Sequence, residues 1–171
     1  MSTAYRPRTL ILLRHGKSAY PAGVGDHERP LAARGEREAG LAGAWIGQHL
    51  PQVDRIVSST AQRTRQTAAA SGVRAPLTLI DDIYEAYPDE LLDVVKAFEP
   101  AEHTVLLVGH APGLPGLAED LAGPGSDPSA LSRLRTKYPT SAVAVLSVDG
   151  DWADVGRDGA TQLNDFVVPR S

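Results

Sequence analysis

Cysteine is absent from this 171-residue chain, which excludes disulfides, thiolate nucleophiles and cysteine metal ligands. Basic charge is not in excess: 17 Lys and Arg stand against 21 Asp and Glu, for a net charge of -4. No global basic field therefore favours nucleic acid as a partner. No apolar run approaches the roughly 18–20 residues of a membrane span, and Met1–Pro7 has no signal-peptide apolar region. Repeats, linkers and low-complexity tracts are missing, and no acidic cluster has metal-ligand spacing. The expectation is a soluble, cytoplasmic monomer without metal or cofactor, partnered by neither nucleic acid nor membrane. Its length and 42% apolar content suit one domain over 1–171 with a genuine core.

What is present is an alternation of strand and helix signals. Leu10-Ile11-Leu12-Leu13 is a short aliphatic run followed by Arg14-His15-Gly16, and it reads as a buried strand. A Gly/Pro-bearing loop, Ser18–Pro30, leads to a helix over Gly35–Leu50, with Leu41, Trp45 and Ile46 on one face and Pro51 as its stop. Asp54–Ser58 reads as a strand and Gln62–Ala70 as a helix ended by Gly72. Then follow a strand at Leu77–Ile80, a helix at Asp89–Phe98, a strand at Thr104–Val108 and a helix at Gly113–Leu121. Gly123–Ser129 reads as a loop. Ala142–Val148 enters an Asp149-Gly150 turn and pairs with Trp152–Val155 as a hairpin. Such alternation predicts an α/β fold: a mostly parallel sheet between two helical layers, with an antiparallel edge near the carboxyl terminus.

Three strand-to-helix turns carry chemistry. The first holds Arg14, His15, Lys17 and Ser18, the second Ser58, Ser59 and Arg63, and the third Gly109-His110. In a parallel sheet all three lie at one edge, so two imidazoles and two guanidiniums can share a pocket. Guanidinium forks and helix amino ends both favour phosphate oxygens. An imidazole nucleophile must be neutral, and neighbouring cations disfavour its protonated form. His15 as nucleophile, with Arg14, Arg63 and His110 around the phosphoryl group, therefore suits covalent phosphoryl transfer without a metal.

These residues resemble the histidine phosphatase superfamily, the phosphoglycerate mutase-like group. The likeness is carried by Arg14-His15-Gly16, by Ser59-Thr60-Ala61-Gln62-Arg63-Thr64-Arg65-Gln66-Thr67-Ala68 and by Gly109-His110-Ala111-Pro112-Gly113-Leu114. Arg29-Pro30-Leu31, Gly35, Pro139-Thr140-Ser141-Ala142-Val143 and Trp152 look like the small SixA-type phosphohistidine phosphatases. The resemblance implies a three-layer sandwich, a phosphorylated His15, and a phosphate pocket completed by Arg14, Arg63 and His110. It also implies a carboxylic proton donor between Arg63 and His110. Asp81, Asp82, Glu85, Asp89 and Glu90 crowd that interval, and Glu85 is the best placed because it follows a predicted strand end.

Ser18 is a candidate substrate-binding residue beside His15, with a plain loop position as the competing reading. Lys17, equally close to His15, has the same competing reading as a solvated loop residue. Asp26, His27 and Arg29 lie in a loop that could rim the pocket or serve only as surface or turn residues. Arg65 points about 200° round the helix from Arg63 and falls outside the pocket. The expected activity is metal-independent hydrolysis through a phosphohistidine, most simply on a phosphorylated protein. The alternatives are a phosphatase of small phosphate esters and a catalytically weak phospho-ligand binding module.

Overall fold

The computed structural model describes residues 6–170. Its first strand, β1 (Arg8–Arg14), is the centre of the molecule. Leu10, Ile11, Leu12 and Leu13 have no exposed surface, as expected of a strand covered on both faces. Leu10 and Leu12 belong to one hydrophobic cluster and Ile11 and Leu13 to another, because successive side chains point to opposite faces.

The remaining strands are β2 (Arg55–Ser58), β3 (Leu77–Leu79), β4 (Thr104–Gly109), β5 (Val143–Val148) and β6 (Thr161–Val167). They form one six-stranded mixed sheet in the order β3-β2-β4-β1-β5-β6. Pairing is parallel through β3, β2, β4 and β1, then antiparallel to β5 and β6. Helices α1 (Ala33–His49) and α2 (Gln62–Ser71) cover the Ile11 face through Ala42, Ile46 and Ala68. Helices α3 (Pro88–Lys96), α4 (Gly113–Leu121) and α5 (Pro128–Thr136) cover the other through Leu91, Leu117 and Leu134. The expected three-layer α/β sandwich is the observed one. Among the described residues no helix is long and apolar enough to cross a membrane.

Two expectations fail near the carboxyl terminus. Trp152–Val155 is not a strand: Trp152–Asp154 form a 3-10 turn, and the strand facing β5 is β6. Trp152 and Val155 are buried without pairing, and the indole N–H donates to the Glu102 carbonyl at 2.6 Å. The β6 pattern was hidden by a bulge. Val145 pairs with Asp165 but Leu146 with Leu163, so Asn164 is an extra residue that brings Leu163 and Phe166 to one face at odd spacing. The second failure is α5, whose first residues fall inside the predicted loop Gly123–Ser129. Its start signals are plain in retrospect: Pro128 is at its amino end, and the Asp127 carboxylate accepts from the Ala130 N–H at 2.8 Å. The outer edge of β6 is closed by main-chain bonds from Gly123 and Asp127 to the Thr161 and Leu163 carbonyls, which blunts an otherwise open edge.

Candidate active site

The parallel strands β1, β4 and β2 end together. Arg14 lies opposite Gly109, and Ser58 opposite Val108. The ladder runs one residue further, with the His15 N–H on the Gly109 carbonyl at 3.0 Å and the Ser59 N–H on the Val108 carbonyl at 3.2 Å. The chain therefore releases His15, Ser59 and His110 at one level. The His15 and His110 rings stand 5.2 Å apart, tilted by 57°.

Close backbone approach sets the His15 turn. A Cβ on Gly16 would fall 2.7 Å from the Gly35 carbonyl oxygen, and one on Gly35 would fall 2.1 Å from that of Lys17. Only glycine at both positions lets the His15 loop lie on the first turn of α1. The Gly16 N–H donates to Thr67 Oγ1 at 3.0 Å, which ties the loop to α2 as well.

The tautomer of His15 follows from one contact. Its Nδ1 lies 2.7 Å from the Gly16 carbonyl, which can only accept, so Nδ1 carries the proton and Nε2 keeps its lone pair. Burial holds the imidazole neutral and pushes its pKa down to about 4, with Arg63, Arg14 and Arg29 adding to the effect and the Gly16 bond opposing it. His110 is pushed down to about 3, again first by burial and then by His15 and Arg63. The cations expected to keep His15 neutral thus contribute, but desolvation is the larger cause. His110 Nε2 lies 2.9 Å from Ser59 Oγ.

The two arginines are held in different ways. Arg14 Nη1 donates to the Tyr138 carbonyl at 2.8 Å, and the Ser141 N–H returns to the Arg14 and His15 carbonyls, each at 3.1 Å. Arg63 is 7% exposed. Its Nη1 donates to the Asp26 carbonyl at 2.8 Å and its Nη2 to the Asp26 carboxylate at 3.2 Å. Arg14 Nε, Arg63 Nε and His110 Nδ1 are buried and have no hydrogen-bond partner among the described residues. Each strand-end group thus contributes one such nitrogen. Buried polar groups are seldom left in this state, and an oxyanion is the acceptor they lack.

Asp26, expected as a rim or turn residue, is the hub of the site's hydrogen bonds. Besides Arg63, it accepts from the Tyr84 hydroxyl at 2.5 Å and from Arg29 Nε at 3.1 Å. The Tyr84 bond, followed by the arginines, holds its carboxyl down to about 2, and Tyr84 is in turn pushed up to about 12. The spacing Asp26-x-x-Arg29 was the available signal, but Tyr84 lies 58 residues from Asp26 and nothing local links them.

Ser18 is buried, and its hydroxyl accepts from Arg29 Nη1 at 2.7 Å. Ser18 is thereby linked to the rim through Arg29. Lys17 is exposed. Arg65 is exposed and bonded to Gln62, apart from Arg63 as expected. Glu85 is exposed with φ 58°, and it lines a cavity of about 590 Å³ together with Asp26, Arg63, Tyr84 and His110. Among the described residues no group of three or more His, Asp or Glu is gathered as metal ligands.

The comparisons with known proteins agree with this geometry. The family model of the histidine phosphatase superfamily (branch 1) matches residues 10–91. An uncharacterised protein of Mycobacterium tuberculosis is 46% identical over 159 residues, covering 92% of this chain and all of that protein. The structure of the proposed phosphohistidine phosphatase SixA from Nakamurella multipartitia is similar with a TM-score of 0.88 at 40% identity, over 98% of this chain and 99% of that one. The corresponding protein from Agrobacterium tumefaciens gives a TM-score of 0.78 at 31% identity, over 96% of this chain and all of that one.

Proposed function

The chain belongs to the histidine phosphatase superfamily and is a phosphatase; from that premise we propose that it is a SixA-type protein phosphohistidine phosphatase, a single domain over 1–171 acting through a phosphorylated His15. The observation that carries the mechanism is the His15 Nδ1–Gly16 carbonyl bond, which leaves Nε2 as an unprotonated nucleophile near the buried Arg63 and the half-buried Arg14.

In the first step the Nε2 lone pair attacks phosphorus in line, and the bond from phosphorus to the substrate nitrogen breaks. That electron pair leaves with the substrate imidazole, which is neutral when its ring already carries a proton. In the second step water attacks phosphorus and the P–Nε2 bond breaks. Inorganic phosphate takes the water proton, and His15 returns with Nδ1 protonated. Arg14, Arg63 and His110 stabilise the equatorial oxygens. Where the Ser59 hydroxyl donates to Nε2 of His110, the proton of that ring sits on Nδ1, ready for a phosphoryl oxygen.

Two features support a phosphorylated protein as substrate. The segments 59–61 and 110–112 are the whole connections from β2 to α2 and from β4 to α4, so neither supplies a lid. Enclosure is what a small metabolite needs for specificity, whereas a side chain on another protein needs access. The second feature is the charge state of Asp26, whose low pKa denies it a proton to donate. An imidazole leaving group tolerates this better than an alkoxide does.

Glu85 on the cavity wall favours the second reading, a phosphatase of small phosphate esters in which Glu85 protonates the leaving oxygen. The deciding experiment compares turnover on a phosphohistidine protein, a sugar phosphate and an aryl phosphate, with trapping of acid-labile phosphate on His15. Fast turnover of the phosphohistidine protein and a trapped phosphoenzyme lost in His15→Ala are expected. Faster turnover of the sugar phosphate would sink the substrate assignment. An active His15→Ala without trapped phosphate would sink the mechanism, and binding without turnover in wild type would favour a phospho-ligand binding module.

A further inference from the structure

At the same edge of the sheet as the catalytic cavity lies a larger depression of about 650 Å³. It sits where β6 ends and β5 begins, between the carboxyl end of α5 and the amino end of α1. Arg34, Arg133, Lys137 and Arg170 line it, and Val168 and Pro139 supply apolar surface. Among the described residues two carboxylates answer these four cations. Glu38, 4% exposed, takes Arg34 at 2.8 Å and Arg170 at 2.7 Å, and Asp165 takes Arg133 at 3.6 Å. The groove is therefore cationic on a chain whose net charge is -4.

Its walls are also the supports of the nucleophile. Arg34 precedes Gly35, on which the Gly16–Lys17 turn rests. Arg170 Nη2 donates to the Thr140 carbonyl at 3.1 Å, and the next residue, Ser141, bonds to the Arg14 and His15 carbonyls. A chain bound in the groove would thus run past the strand end that presents His15.

We propose that this groove docks an acidic segment, carrying apolar residues, of the protein whose phosphohistidine enters the catalytic cavity. The inference rests on the reading of the site as a protein phosphohistidine phosphatase. Charge complementarity selects the occupant: exposed lysine and arginine at the rim steer an acidic chain, while Val168 and Pro139 offer it apolar contact. The buried Glu38 fixes Arg34 and Arg170 in place and reduces the entropy that binding must overcome.

The test uses two synthetic phosphohistidine peptides, one with an acidic flank and one with a neutral flank, free phosphohistidine, and a fluorescent unphosphorylated acidic peptide. Wild type should favour the acidic peptide by about tenfold in kcat/KM at low salt, and added salt should shrink that advantage. Lys137→Glu, at an exposed position, should erase most of the preference through KM and leave free phosphohistidine turnover unchanged; Arg133→Gln should act in the same direction. Equal use of the two peptides by wild type would overturn the proposal. So would a preference that survives both variants, or displacement of the acidic peptide by a DNA oligonucleotide of matched charge. Should no phosphohistidine compound be hydrolysed while the fluorescent peptide still binds in a Lys137-dependent way, the groove stands and the catalytic reading falls.

Discussion

Two regions at one sheet edge both gather arginine, and they keep it in opposite surroundings. Over β2, β4 and β1 the cations lie among buried imidazoles; over β5 and β6 the Arg34 and Arg133 side chains are 55% and 50% exposed. Exposed pairs are screened by water and contribute little to stability. Buried ones act through a lower dielectric, and desolvation there brings His15 to about 4 and His110 to about 3. Burial suits such a cluster to chemistry and exposure suits it to recognition, the roles proposed for the two regions.

The sharpest way to break that comparison is at the buried end. His15→Ala should lower kcat by at least about 10⁴-fold and abolish acid-labile phosphate on the protein, because a nucleophile and its oriented cations act as a unit. Arg63→Ala should cost about 10²–10³-fold in kcat/KM, the usual scale for one preorganised charge on a transferring group. Asp26→Asn should cost less, since it loosens Arg63 without removing it. If Arg63→Ala cost no more than Lys137→Glu, the contrast between the two regions would be empty.

Gly35→Ala tests the loop rather than the charges. The added carbon has no room against the Lys17 carbonyl, 2.1 Å away, so stability should fall by about 1–3 kcal/mol in denaturant titration, the range for overpacking. Activity should fall with it, because the displaced backbone carries His15, the proposed nucleophile.

A pH series sharpens the contrast further. The folded pKa values of His15 and His110 lie below the ordinary histidine value of 6.5, so the unfolded chain takes up protons first. Their stabilising contribution is complete above pH 6.5 and drains away as pH falls toward about 4 and 3. Asp26, lowered from 3.8 to about 2, adds a contribution lost only below the usual carboxylate range. Denaturant titrations at neutral and mildly acidic pH should show the decline, and His110→Gln should flatten it. By the same logic the acid limb of kcat/KM should lie near 4 and not near 6.5. The smallest expected effect is Glu85→Gln: less than about threefold on phosphohistidine, where the leaving group needs little acid help. A loss of tenfold or more on an alkyl phosphate, with phosphohistidine spared, would assign the proton-donor role to Glu85 for esters alone.

Legibility followed the same division. His15, Arg63 and His110 stand immediately after strands or in the first turn of a helix, so the aliphatic runs that locate the strands also locate them. The order of the parallel strands then brings them together. Asp26 and Tyr84 were not legible as partners because their bond joins two loops, and loops have no period to read. Likewise β6 escaped because Asn164 breaks the alternation at a bulge, and α5 because its start was masked by the Gly/Pro-rich stretch before it.

By itself the sequence determined the three-layer α/β sandwich and the residues at its carboxyl edge, since hydrophobic periodicity and glycine punctuation are local properties. Only the tertiary structure decided the protonation of His15, the clamp of Asp26 on Arg63, and the neighbouring cationic groove. Each depends on burial and on charges brought close from distant positions, and electrostatic energy is set by distance in space rather than along the chain.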